Sequence, residues 1–159
     1  MPHTYQYPRA ALTVDCVVFG LDDSELKVLL IERADFPDHW QSVTGSQEAG
    51  ETLVETATRE LREETGYEGS ESRLLGSVFP NPAIMSNTCF TVMVDNSRCI
   101  HPVEFDHGED IITRLVPVSE IPGLVAGGKI RHSLVVVALY HFELWQRDLR
   151  PEALAIAAG

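Results

Sequence analysis

Between Gly45 and Gly66 the chain reads GSQEAGETLVETATRELREETG. Five residues separate Gly45 from Glu51, and seven more separate Glu51 from Arg59; Glu60, Leu61, Glu63, Glu64 and Gly66 follow. Leu53, Ala57 and Leu61 recur every four residues, which predicts a helix over roughly residues 52–65 with one apolar stripe. Gly66 supplies a common helix stop. Glu60 stands three and four residues before Glu63 and Glu64, so all three carboxylates are expected to project close together. Like charges at this spacing cost about 0.2–0.5 kcal/mol per pair. Glu63 and Glu64 also lie at the C-terminal end, where the helix dipole disfavours anions. A divalent cation reverses the sign of both effects, and hard carboxylate oxygens suit Mg2+ or Mn2+. The plainer account is a solvated acidic face, with Arg59 paired to Glu55 and Glu63 at i±4. Seven fixed residue types at background frequencies of about 7% coincide by chance on the order of 10⁻⁸ per starting position, so surface charge alone does not account for the pattern.

The stretch resembles the Nudix box, G-x5-E-x7-R-E-U-x-E-E-x-G-U, where U is a bulky aliphatic residue. Gly45, Glu51, Arg59, Glu60, Leu61, Glu63, Glu64 and Gly66 fill it, and Tyr67 stands where an aliphatic residue is usual. The resemblance implies a hydrolase that cleaves a diphosphate linkage in a nucleoside diphosphate joined to another group, with Mg2+ or Mn2+ as cofactor. Carried over by position, Glu60 and Glu64 are the expected direct metal ligands. Glu63 is expected to bind directly or through water, and the Gly45 carbonyl to add an oxygen. Arg59 is expected to orient the glutamates by salt bridging, and Glu51 to support the loop–helix geometry through Arg59. The cation would neutralise the diphosphate and lower the pKa of a bound water, and a carboxylate would help remove that water's proton. Glu60 is one candidate for this base and Glu109, in a loop well after the box, is the other. Glu104 and Asp106 are weaker candidates for the same task.

Outside the box the likeness divides between subfamilies. Trp40-Gln41-Ser42-Val43-Thr44-Gly45-Ser46 resembles dihydroneopterin triphosphate diphosphatases, which act on a pterin nucleotide analogue and can accept dATP. Glu109-Asp110-Ile111, Val116-Pro117-Val118 and Gly128-Lys129-Ile130 resemble ADP-ribose pyrophosphatases. Asn81-Pro82-Ala83 does not reproduce the Ser-Pro-Gly motif of that subfamily and reads equally as a turn. Trp40 suits either packing or stacking on a substrate. Arg33 ends a strand and is a candidate to hold a phosphate, or to form a surface ion pair. His39, His101, His107, His132 and His141 show no triad or metal spacing.

The chain's 159 residues suit one domain over 1–159, with an irregular lead-in at 1–9 and a fraying tail at 151–159. A net charge of −12 argues against a nucleic-acid groove, which needs basic surface. Small phosphorylated substrates remain compatible, because a bound cation supplies local positive charge. Cys16, Cys89 and Cys99 show no metal spacing, and so sparse a set suits a reducing cytoplasm. Cys16, inside an apolar run, is expected to be buried. The N-terminal MPHTYQYPRA lacks the apolar core of a signal peptide. The apolar run at 134–140 is too short to span a membrane. A homodimer would be in keeping with the resemblance.

Alternation and turn residues predict strands at Leu12–Phe19, Leu26–Glu32, Ser42–Thr44, Ser72–Phe79, Cys89–Val94 and Ile111–Val116, with a turn at Gly20–Ser24. Ser119 is a candidate cap for a short helix from Glu120 that Gly127–Gly128 ends. A last helix is expected over Ile130–Trp145, despite the β-prone run at 135–137. Pattern alone supports α+β or α/β. The resemblance implies α/β: a Nudix-type α/β/α sandwich around a mixed β-sheet. Two other functions fit the same residues. One is a non-enzymatic Nudix-fold nucleotide sensor; such proteins commonly carry a further domain and a degraded box. The other is a structural metal-binding module, whose acids would close the coordination sphere.

Overall fold

The computed structural model describes residues 12–22, 25–33, 39–84, 86–103 and 111–149, with side chains described from Leu26 onward except at Arg33. The expected lead-in, the C-terminal tail, the burial of Cys16, and residues Glu104, Asp106, His107 and Glu109 lie outside this set.

Among the described residues, nine strands and three α-helices follow in the order β1 (Leu12–Asp22), β2 (Glu25–Arg33), β3 (Trp40–Gln41), β4 (Val43–Ser46), α1 (Leu53–Thr65), β5 (Tyr67–Glu68), β6 (Glu71–Val78), β7 (Thr88–Asp95), β8 (Arg98–Cys99), β9 (Ile111–Pro117), α2 (Ile121–Ala126) and α3 (Ser133–Gln146). Seven strands form one sheet in the order β3-β2-β1-β7-β6, with β4 also on β1 and β9 also on β2. β1 runs parallel to β7 over Leu12–Val18, and its other edge is shared by β4 and then β2, both antiparallel. The sheet is therefore mixed.

Both faces of this sheet are covered, which explains the unbroken apolar run Val28-Leu29-Leu30-Ile31 in β2. Successive side chains of a strand point to opposite faces. Leu29, Ile31, Val92 and Val94 accordingly pack with Ala57 and Leu61 of α1. Val28, Leu30 and Met93 pack with Val135, Ala138, Leu139 and Phe142 of α3. Each of the larger of these side chains, fully buried, contributes roughly 1.5–3 kcal/mol. α1 and α3 thus sandwich the sheet in three layers, as the resemblance implied. Gly76 of β6 admits α3 closely, since a Cβ there would lie 2.6 Å from the His141 ring. His141 Nδ1 in turn lies 2.9 Å from Thr91 Oγ1, and burial pushes the His141 pKa below its usual value.

α1 is capped at both ends. Thr52 Oγ1 accepts the Glu55 N–H at 3.2 Å, and the Glu55 carboxylate accepts the Thr52 N–H at 2.7 Å. The helix begins at Leu53, one residue later than expected, because Thr52 is the cap. Gly66 ends it in the left-handed region at φ 73°, donating to the Arg62 carbonyl at 2.8 Å. The Gly66 carbonyl accepts N–H bonds from Ile100 and His101, both at 3.0 Å, and so anchors the β5–β8 pair.

Three local expectations are corrected. β1 continues through Gly20–Asp22 where a turn was expected, because Gly20, Leu21 and Asp22 pair with Lys27, Leu26 and Glu25. Ser119 caps nothing: it lies inside a 3-10 turn at Val118–Glu120, and α2 starts from Glu120 without a side-chain cap and with a proline in its first turn. α3 begins at Ser133 instead of Ile130, because His132 is extended at φ −67° and ψ 122°, while the Lys129 and Ile130 N–H groups bond the Leu124 carbonyl at the end of α2. The two-residue strands β3, β5 and β8 were too short to carry a periodic signal.

A Cβ at Gly66 would sit 2.4 Å from the His101 carbonyl oxygen, at a positive φ. Gly66→Ala is expected to destabilise the fold by roughly 2 kcal/mol or more. Urea denaturation measures this as a lowered midpoint; an unchanged midpoint would contradict it.

Candidate active site

β4 carries Gly45 beneath α1, and the Glu60 side chain lies directly against it. A Cβ at Gly45 would fall 2.1 Å from Glu60 Cδ and 2.2 Å from Glu60 Oε1. The absence of a side chain at Gly45 is therefore what lets the Glu60 carboxylate rest on the strand.

Arg59 ties loop and helix together. Its Nε donates to Glu51 Oε1 at 2.8 Å and its Nη2 to Glu51 Oε2 at 3.2 Å, a bidentate pair. Nη1 reaches Glu60 Oε1 at 3.0 Å and Glu63 Oε2 at 3.4 Å, while Nη2 also donates to the Ser46 carbonyl at 3.2 Å. One guanidinium thus spans the residue after Gly45, Glu51 and two glutamates of α1. Its five N–H donors in a fixed plane suit this task as a lysine ammonium would not. The simple alternative of an Arg59–Glu55 pair does not form: Glu55 is engaged in the capping box.

Glu51 is organised further by the Thr56 hydroxyl at 3.0 Å and the Glu48 N–H at 3.1 Å, both donating to Oε2. The Arg59 hydrogen bond, then the Glu48 N–H, hold the Glu51 carboxyl down at about 2 against an ordinary 4.5. Arg59 is correspondingly raised, chiefly by Glu51.

The three box glutamates occupy different environments. The Glu60 and Glu63 side chains are 18% and 34% exposed and share Arg59, whereas Glu64 is 5% exposed and belongs to the interior. Among the described residues no group of three or more His, Cys, Asp and Glu side chains is arranged to hold a metal ion. Arg59 lies against both Glu60 and Glu63 and offsets part of their charge; its i+4 pairing with Glu63 follows the helix spacing. Beside them a cleft of about 690 Å3 is lined by Gly50, Glu51, Arg59, Arg62 and Glu68 among others.

Arg33 is the last residue of β2 and stands opposite Ile111 in the β2–β9 register. Its side chain and the whole of Glu109 lie outside the described residues, so neither is placed against the box. Asn81–Ala83 forms an exposed turn between β6 and β7. His101 pairs with Glu68 and His141 with Thr91. Sequence reasoning did not find the Ser46 carbonyl, Glu48 or Thr56. Backbone groups leave no mark in residue type, and Thr56 reads as an ordinary helical threonine.

These features define a loop–helix segment with an arginine-linked carboxylate set, presented by a mixed sheet between helices. A family model for the NUDIX domain matches residues 10–137. The chain belongs to the Nudix family. Dihydroneopterin triphosphate diphosphatase of Escherichia coli K12 is 58% identical over 60 residues, 38% of this chain and 37% of that protein. The ADPR responsive transcriptional repressor NtrR of Acinetobacter baylyi is 32% identical over 76 residues, 45% of this chain and 30% of the repressor. A crystal structure of an ADP compounds hydrolase superposes with a TM-score of 0.72 at 21% identity, covering 86% of this chain and 74% of that one. That likeness concerns the fold. The matches span 37% or less of the length of these curated relatives.

Because the folded Glu51 pKa is depressed, its contribution to stability is complete above pH 4.5 and is lost as pH falls from 4.5 toward 2. Glu51→Gln is therefore expected to lower the urea midpoint at pH 7, with the gap from wild type narrowing through that window. A gap that stays constant down to pH 2 would refute the Glu51–Arg59 assignment.

Proposed function

We propose that this protein is a Mg2+- or Mn2+-dependent hydrolase cleaving a diphosphate linkage in a small nucleoside diphosphate derivative. Substrates of the ADP-ribose kind and of the dihydroneopterin triphosphate or dATP kind are the two candidates. The observation that carries this is the Arg59-linked set of Glu51, Glu60 and Glu63, with Glu60 lying on side-chain-free Gly45.

The residues suit a hard divalent cation. The donors are carboxylate oxygens, and Gly45 leaves the Glu60 carboxylate room against the strand. Mg2+ keeps several waters and binds through one or two carboxylates plus substrate phosphates, so no closed protein cage is required. A structural metal module would require one. Glu60, Glu63, Glu64 and the Gly45 carbonyl would hold the ion. When bound, the ion neutralises diphosphate charge and makes water a stronger nucleophile.

The chain's own residues do the rest. Arg59 aligns Glu60 and Glu63, and Glu51 fixes Arg59 to the loop. Glu60 or Glu109 takes the proton from the attacking water. Arg33 holds a phosphate of the substrate. The 58% identity to a dihydroneopterin triphosphate diphosphatase over 60 residues supports the pterin-nucleotide candidate. The fold likeness to an ADP compounds hydrolase is compatible with the other.

The likeness to an ADPR responsive repressor motivates a second function, nucleotide binding without turnover. The complete set of box acids favours hydrolysis. We further place the protein in the cytoplasm, as a single domain over 1–159 acting on small nucleotides and not on nucleic acid, with a homodimer compatible. No helix among the described residues is long and apolar enough to cross a membrane.

Purified protein with Mg2+ or Mn2+ is expected to release a nucleoside monophosphate or pyrophosphate from ADP-ribose, dihydroneopterin triphosphate or dATP. Tight binding with no product from any of them would favour the sensor. Glu64→Gln is expected to lose more activity than the roughly 10–100-fold that accompanies removal of a group behind the metal ligands; near-normal turnover would take Glu64 out of the metal set. The three atoms nearest a Cβ at Gly45 all belong to the Glu60 side chain, which can swing aside in Gly45→Ala. The substitution is expected to leave the melting temperature nearly unchanged while displacing the carboxylate and costing about 100-fold in kcat. Unaltered turnover would show that the Glu60 position is unimportant.

A further inference from the structure

α1 carries three threonines, Thr56, Thr58 and Thr65. A helical threonine commonly turns its hydroxyl back onto a carbonyl three or four residues earlier. Thr58 does so with Val54 and Glu55, and Thr65 with Leu61. Among the described residues, Thr56 alone of the three has an acceptor outside the helix. Its Oγ1 lies 3.1 Å from the Thr52 carbonyl oxygen and 3.0 Å from Glu51 Oε2. A hydroxyl has one proton to give. The Thr52 carbonyl already accepts the Thr56 N–H at 3.0 Å and needs no second donor. Glu51 is a carboxylate at neutral pH, and an ionised acceptor makes the stronger bond. The Thr56 proton therefore goes to Glu51.

With that bond Glu51 has four donors among the described residues: the Glu48 N–H, the Thr56 hydroxyl, and Nε and Nη2 of Arg59. An ionised carboxylate offers about four lone-pair sites, so the set is complete. The donors differ in rigidity. Glu48 belongs to the exposed loop before α1, and Arg59 reaches Glu51 along a flexible stem. Thr56 is fully buried on the capped helix, and its branched Cβ restricts rotation. Thr56 therefore fixes where the Glu51 carboxylate lies. The bidentate pair passes that placement to the guanidinium, because two parallel bonds leave neither group free to turn on the other. Nη1 of the same flat group then meets Glu60 Oε1 at 3.0 Å and Glu63 Oε2 at 3.4 Å.

We propose that Thr56 is a positioning residue for hydrolysis: its hydroxyl, acting through Glu51 and Arg59, sets the placement of Glu60 and Glu63. The chain of contacts runs from the buried side of α1 through the loop and back to the helix face that carries the acids. Thr56 itself touches neither Glu60 nor Glu63 through any of these bonds, so its effect on the reaction is indirect. The effect on turnover rests on the hydrolase reading, but the alignment of Arg59 is a property of the protein without metal or substrate.

Thr56→Val keeps the branched side chain and removes the hydroxyl; Thr56→Ser keeps the hydroxyl. The first measurement is the Arg59 Nε–H signal of metal-free 15N-labelled protein, assigned by its loss in Arg59→Lys. In Thr56→Val this signal is expected to shift and to exchange faster with water, and in Thr56→Ser to stay near its wild-type position. The second measurement is turnover with Mg2+ of whichever of ADP-ribose, dihydroneopterin triphosphate and dATP the wild type hydrolyses. Thr56→Val is expected to lower kcat roughly 10-fold, as loss of a group behind the metal ligands does, with KM nearly unchanged. Thr56→Ser is expected to recover most of that loss. Thr56→Ala serves if Thr56→Val proves unstable, and is expected to show the same changes. An unmoved Arg59 signal, wild-type kcat without the hydroxyl, or no recovery with serine would each overturn the role of Thr56. If none of the three substrates is hydrolysed by the wild type, the hydrolase reading falls, and the Arg59 signal still decides whether Thr56 aligns the guanidinium.

Discussion

The guanidinium of Arg59 is the constraint on which the candidate site depends. Three carboxylates and a carbonyl meet it within 3.4 Å. Without it, Glu60 and Glu63 would sit as like charges three residues apart on one helix face, a repulsive arrangement. With it, the acids are held together at low electrostatic cost. The same cation joins the helix to Glu51 and Ser46, so the loop that leaves β4 cannot drift from α1. Glu51 shows how strongly the pair is coupled, since its carboxyl is held at about 2 mainly by that one partner.

Such a hub works only on a fixed helix. α1 is fixed on its inner side by Ala57 and Leu61, at 0% and 1% exposure, against Leu29, Ile31, Val92 and Val94. Its ends are held by the Thr52–Glu55 capping box and by Gly66. The outward side is then free to carry charge. α3 does the complementary job on the other face, and its burial of Val28, Leu30 and Met93 makes β2 and β7 apolar on both sides. The site is therefore placed by the sandwich and held together by Arg59.

Much of this was readable from residue types. The four-residue recurrence of Leu53, Ala57 and Leu61 gave α1 within one residue, because an amphipathic stripe has a strong period. Alternation and β-branched runs placed β1, β2, β6, β7 and β9 to within about three residues. The misses have physical causes. Gly20 looked like a turn, yet the ladder with Lys27 carried the strand past it. Ser119 looked like a cap, yet the chain there is wound as a 3-10 turn and α2 begins with no side-chain cap. Ile130 looked helical, yet His132 is extended and α3 starts only at Ser133.

The candidate site divides in the same way. The resemblance to the Nudix box picked out Gly45, Glu51, Arg59, Glu60, Glu63 and Glu64 as candidates, and helical spacing grouped Glu60, Glu63 and Glu64, because residue order and helix period are local properties. Only the folded chain decided their states: Glu60 and Glu63 on Arg59, Glu64 in the interior, Glu51 bound to a loop N–H and a threonine. It alone brought Glu32, Trp40 and Arg114 together, since residues 82 apart in the chain meet through strand pairing. Local spacing determines which groups share a helix face; the packing of helix against sheet determines which are buried, which are paired and which distant residues become neighbours.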